Sequence, residues 1–133
     1  MQYGKVSRAN GRLVLCTLIL CFVAAIPAVA LRHKPKPALT NLIVLVTDHV
    51  SHKPIFQAHL TLQFRDPNSR LGKVISYTAK TDLKGEYKFN FIPMERIYLI
   101  VTDPVHQTFG GRFQITRNNQ VIRVRLRKPQ PLR

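Results

Sequence analysis

A chain of 133 residues with 21 Lys and Arg against 6 Asp and Glu carries a net charge of +15. That length holds one hydrophobic core. The charge favours anionic partners such as lipid headgroups, acidic polysaccharide or nucleic acid, and it also helps a small domain stay soluble. Both cysteines, Cys16 and Cys21, lie near the amino terminus, so the rest of the chain forms neither a disulfide nor a thiolate metal site.

Lys5, Arg8 and Arg12 precede an unbroken apolar stretch over residues 13–26. Pro27 then interrupts it, and Ala28-Val29-Ala30 supplies the small-x-small triplet that signal peptidase accepts. Residues 1–30 therefore read as a signal peptide cleaved after Ala30, leaving a net +12 (18 cations against 6 acids). Residues 13–31 also approach the roughly 20 that a spanning helix needs, so an uncleaved membrane anchor is the alternative. Leu20, standing before Cys21 where a lipoprotein has a small residue, argues against lipidation. Either outcome makes the protein exported, periplasmic or extracellular.

Residues 31–38 form a short, basic, proline-bearing arm. From residue 39 to residue 127, short apolar segments alternate with turn signals at the spacing of a sandwich or barrel, and no segment holds a 3.6-residue stripe. Seven strands are predicted. The first, 42–47, is rich in Val, Ile and Leu and is expected to be buried on both faces. The second, 58–64, turns Leu60, Leu62 and Phe64 to one side. Asp66-Pro67-Asn68-Ser69 closes it as a turn, because Pro fixes φ and the polar side chains bond the local backbone.

The third strand covers 73–81, and Asp82 to Gly85 turns the chain, with Gly85 free to take a positive φ. The fourth, 86–91, alternates Tyr87, Phe89 and Phe91 inward with Glu86, Lys88 and Asn90 outward. The fifth, 97–102, is apolar on both sides. Asp103-Pro104 and Gly110-Gly111 bracket a loop with room for a bulge. The sixth is 112–116, Asn118-Asn119 makes a hairpin turn, and the seventh, 121–127, points Ile122, Val124 and Leu126 inward. Residues 128–133 contain Pro129 and Pro131 and form a loose tail. The fold class is all-β: a seven-stranded antiparallel β-sandwich preceded by an amino-terminal signal or hydrophobic helix.

Two segments carry a family resemblance. Val46-Thr47-Asp48, Lys53-Pro54-Ile55, Ala58 and Leu60-Thr61-Leu62 resemble the opening of carboxypeptidase regulatory-like domains. Thr81-Asp82-Leu83-Lys84-Gly85-Glu86-Tyr87-Lys88-Phe89 is similar to their T-D-x-x-G-x-Y/F-x-F signature, and Pro93 with Tyr98-Leu99-Ile100-Val101 matches the segment after it. The resemblance spans residues 41–126 and implies a prealbumin-like (transthyretin-like, Ig-like) sandwich used as an accessory or binding module. Lys53 stands where a turn glycine is usual, and Arg96 replaces the glycine before Tyr98, so those two loops are expected to be longer or differently bent.

Catalysis is not expected, and no cofactor is. The only glutamates are Glu86 and Glu95, neither in the His-x-x-Glu arrangement of a zinc carboxypeptidase. Hydroxyisourate hydrolase, an enzyme on the same sandwich, is the enzymatic alternative, but its carboxy-terminal Tyr-Arg-Gly-Ser is missing from Lys128-Pro129-Gln130-Pro131-Leu132-Arg133. His49, His52 and His59 are weak candidates for Zn²⁺ or Cu²⁺, although His59 falls on an outward position and solvated histidines explain the set as well. His33 and His106 carry no signal.

Arg123, Arg125 and Arg127 share one side of the last strand, with Lys128 beside them. A guanidinium every second residue, about 6.6–6.8 Å apart, forms a ladder for successive phosphates or carboxylates. The same charges protect an edge strand against aggregation. Nucleic acid is not an expected partner, because the aromatic residues fall inward rather than among the cations. The sequence thus points to an exported, non-catalytic module of the cell envelope that meets an anionic surface or a partner protein through a basic face or a sheet edge.

Overall fold

The computed structural model describes residues 35–131; the expected signal peptide, residues 1–30, lies outside them. Seven strands follow in chain order: β1 (Leu39–Asp48), β2 (His59–Arg65), β3 (Val74–Lys80), β4 (Glu86–Pro93), β5 (Arg96–Thr102), β6 (Phe109–Gln114) and β7 (Gln120–Leu126). They build a three-stranded sheet ordered β4-β1-β7 and a four-stranded sheet ordered β3-β2-β5-β6. Every pair is antiparallel except β1–β7, which runs parallel with Leu42 opposite Gln120 and Asp48 opposite Leu126.

The core forms between the sheets because each strand sends alternate side chains inward. Leu42, Val44 and Val46 of β1 and Ile122, Val124 and Leu126 of β7 face Leu60, Leu62 and Phe64 of β2 and Ile97, Leu99 and Val101 of β5; all are buried. Each fully buried Leu or Ile contributes roughly 1.5–3 kcal/mol relative to exposure. The core residues all lie between positions 42 and 126, so this unit carries a core of its own.

β1 and β5 are not sealed on both sides, as their composition suggested. Their intervening residues Ile43, Leu45, Thr47 and Ile100 are only half-buried, because one face of each sheet is open. The aromatic ladder expected along β4 is also broken. Phe89 is buried, but Tyr87, expected inward, is 38% exposed, its ring lying edge to face 4.8 Å from that of Phe89. Phe91 is 74% exposed, and Ile92 takes the inward place instead. The register explains this: Thr40 pairs with Ile92 and Leu42 with Phe89, so β4 holds one more residue than β1 across the interval. The resulting bulge puts Phe91 at φ 59° and flips the alternation beyond it.

Gly110 and Gly111 lie inside β6 rather than in a loop. A Cβ on Gly110 would stand 2.6 Å from the Tyr98 hydroxyl, and one on Gly111 would press against the rings of Phe109 and Phe113. Rings folded over both sides of a glycine pair restore the packing that the missing side chains forgo.

The Asp82 turn forms as its residues dictate. Asp82 Oδ1 accepts from the Lys84 and Glu86 amides at 2.8 and 2.9 Å. Gly85 sits at φ 68° with its carbonyl accepting from Val46 N at 2.8 Å. No Cβ fits there, since it would collide with the Val46 carbonyl. Buried Thr81 pins the loop before β2, donating its hydroxyl to Ile55 O at 2.6 Å and accepting from Ala58 N at 2.9 Å. The left-handed residues of that loop are His52 and Gln57, which is how it closes with Lys53 in the place of a glycine.

Candidate anion-binding face

β7 is an edge strand, and its outward positions are Val121, Arg123 and Arg125, followed by Arg127 just past its end. Ile122, Val124 and Leu126 must enter the core, so strict alternation forces the three arginines onto the open side. The parallel register seats Arg123 beside Leu45 and Arg125 beside Thr47. These four residues and His52 line a depression of about 340 Å³. Among the described residues, Arg123, Arg125, Arg127 and Lys128 pair with no carboxylate. The arrangement offers stacked guanidinium donors over an apolar floor, able to grip an anion in two places.

His52 reaches this depression because Asp48, at the end of β1, folds the next residues into a tight turn. Asp48 Oδ1 accepts from Val50 N at 2.9 Å, Ser51 N at 2.6 Å and Ser51 Oγ at 3.0 Å, and His52 N donates to Asp48 O at 3.1 Å. The other carboxylate oxygen, Oδ2, lies 2.9 Å from His106 Nε2. His106 Nδ1 is 2.6 Å from Asp103 Oδ2. All three side chains are about nine-tenths buried.

Both carboxylates are acceptors only, so a ring that bonds both donates from both nitrogens and is the imidazolium. The Asp103 bond raises the affinity of His106 for its proton, burial opposes this, and the Asp48 bond adds to the rise. The Ser51 amide, followed by His106, holds the Asp48 carboxyl well below the usual carboxylate range. With neither nitrogen free, His106 ties the β1–β2 loop to the β5–β6 loop. Nothing in the sequence singles it out: Asp103 stands three residues away in the same turn, but Asp48 lies 58 positions away.

His49 and His52 occupy the β1–β2 loop, whereas His59 opens β2 in the other sheet, opposite Lys80 and Thr102. Among the described residues no three His, Cys, Asp or Glu side chains are placed to hold a metal ion.

The fold is therefore a two-sheet β-sandwich with an open, cationic outer face on its smaller sheet. No protein-family model and no curated protein matches the chain in sequence. Solved structures match it in fold. A Streptococcal ancillary pilin superimposes at a TM-score of 0.53 with 14% identity over 72% of this chain and 31% of its own. The major pilin subunit of Bacillus cereus gives 0.52 and 16% over 71% and 31%. The Bacillus anthracis TIE protein gives 0.51 and 21% over 68% and 17%. The chain spans less than a third of each of these proteins, and at such identities the likeness is one of fold. It supports a β-sandwich of the kind present in pilins and does not reach the carboxypeptidase regulatory-like family in particular.

Proposed function

We propose that this domain is a non-catalytic, exported binding module of the cell envelope that engages an anionic partner through the outer face of its three-stranded sheet. The observation that carries the reading is the pair Arg123 and Arg125, side by side over Leu45 and Thr47, with no acid partner among the described residues. Cations left unpaired on an open face attract polyanions at a range set by the ionic strength. An exported location draws on the charged, apolar and small-x-small order of residues 1–30, and pilins supply precedent for such a sandwich on a cell surface.

The test is retention on a sulfated-polysaccharide matrix. Retention should fall steeply with added salt, and the Arg123→Ala, Arg125→Ala double variant should elute well before the parent. Equal elution of the two proteins across the salt gradient rejects the reading.

A further inference from the structure

The rows across the three-stranded sheet show what else this face carries. On its open side, Arg125 stands beside Thr47, the next row is Glu86–Leu45–Arg123, and the next is Lys88–Ile43–Val121. Leu39 then lies opposite Pro93, with Asn41 and the bulge of Asn90 and Phe91 between. The paired arginines thus stand at one end of the face, and its most exposed apolar side chains stand at the other, with Lys88, Asn41 and Asn90 between and among them. Leu39, Phe91 and Val121 are 57%, 74% and 41% exposed, and Glu86 is the one acid among the residues of these rows.

Phe91 is the telling residue. A bulky side chain in the left-handed region is a conformational outlier, and such strain concentrates where a surface is used. Here the strained position also holds a fully turned-out ring, at the apolar end of a cationic face. Water gives such a ring nothing. An interface with an apolar layer beneath charged headgroups accepts both kinds of side chain at once, rings entering the acyl boundary and arginines remaining at the phosphates.

We infer that this face docks flat on an anionic lipid bilayer, with Phe91, Leu39 and Val121 entering the headgroup–acyl boundary and Arg123 and Arg125 pairing with lipid phosphates. The inference rests on the anion-binding reading and commits it to a lipid. Chain geometry agrees with it: Leu39 is the first residue of β1, and eight residue steps take the chain to it from position 31, the end of the apolar stretch. Fully extended, they span at most about 26–29 Å. If that stretch remains in the membrane, this end of the sandwich is kept close to the surface.

The test uses the chain from residue 31 onward, whose core is complete, and co-sedimentation with vesicles of phosphatidylcholine alone or mixed with phosphatidylglycerol. Binding is expected to the mixed vesicles only and to weaken with salt. Phe91→Gly suits the positive φ, so it leaves the melting temperature equal or higher, and it should lower vesicle affinity about tenfold through the lost ring. Unchanged affinity in Phe91→Gly overturns the bilayer assignment while the arginine reading stands. Salt-sensitive retention on sulfated polysaccharide without vesicle binding does the same and points to a glycan. Loss of both kinds of binding rejects the anion-binding reading itself.

Discussion

On the four-stranded sheet the outward positions read Thr61, Gln63, Ser76, Thr78 and Ile100, with Arg65, Lys80, Arg96 and Arg112 beside them and Tyr98 laid across Gly110. On the three-stranded sheet they read Ile43, Leu45, Thr47, Val121, Arg123 and Arg125, with Glu86 and Lys88 on β4. Both sheets obey the same period of two and bury the same kinds of aliphatic residue. They differ only on the sides that folding leaves unconstrained. The four-stranded sheet sets its cations around short hydroxyl and amide groups of β2 and β3, a surface that water satisfies. Cations above exposed aliphatic groups and a strained ring make one that water satisfies poorly. The inner faces record what the fold needs, and the outer faces record what else the domain does.

The largest effects should come from the inner faces and be equal in the two sheets. Leu42→Ala and Leu62→Ala each remove a wholly buried side chain and should cost about 2–5 kcal/mol in denaturant melts. Gly85→Ala attacks the turn that docks on β1; the positive φ and the blocked Cβ position should make it cost more than about 1 kcal/mol. The His106 tie should appear as pH dependence. His106 has a raised folded-state pKa, so its contribution is full below about pH 6.5 and fades as pH rises through that raised value. Asp48 has a depressed one, so its contribution is full above about pH 4 and fades as pH falls. Melting temperature should therefore peak between those limits, and His106→Gln should flatten the alkaline side of the peak. A parent profile as flat there as the variant's would remove the tie.

The smallest structural effect is also the sharpest functional contrast. Adding Thr61→Lys and Gln63→Lys to the Arg123→Ala, Arg125→Ala variant restores net charge on the opposite sheet. Stability should change by no more than about 0.5 kcal/mol per surface substitution, and salt-sensitive binding should not return. Its return would show that net charge, rather than the placement of the arginines, governs attraction.

Alternation made the architecture legible. The seven strands, the inward sets of β2 and β7, and the turn at Asp82 follow from period-two patterning and from residues with one conformational use. The arginine ladder on the open side of β7 was readable for the same reason. Asn118-Asn119, expected to make a hairpin, instead turns the chain from one sheet to the other, because β6 and β7 do not pair. What stayed hidden depends on pairing between distant strands. A bulge in β4 appears only when its register against β1 is known, so Phe91 read as core. Gly110 and Gly111 look like loop residues until Tyr98, Phe109 and Phe113 are seen to cover them. The Asp48–His106–Asp103 network needs a loop contact across 58 positions, which no local pattern encodes.

The parallel pairing of β1 and β7 has a mechanical consequence. The chain enters the three-stranded sheet at one end through Leu39 and leaves it at the opposite end through Leu126. Tension applied between the two termini would therefore shear these strands lengthwise, loading their hydrogen bonds together instead of peeling them apart one by one. A domain tethered at one end and gripping a surface would resist detachment through the same strand pair that displays its arginines.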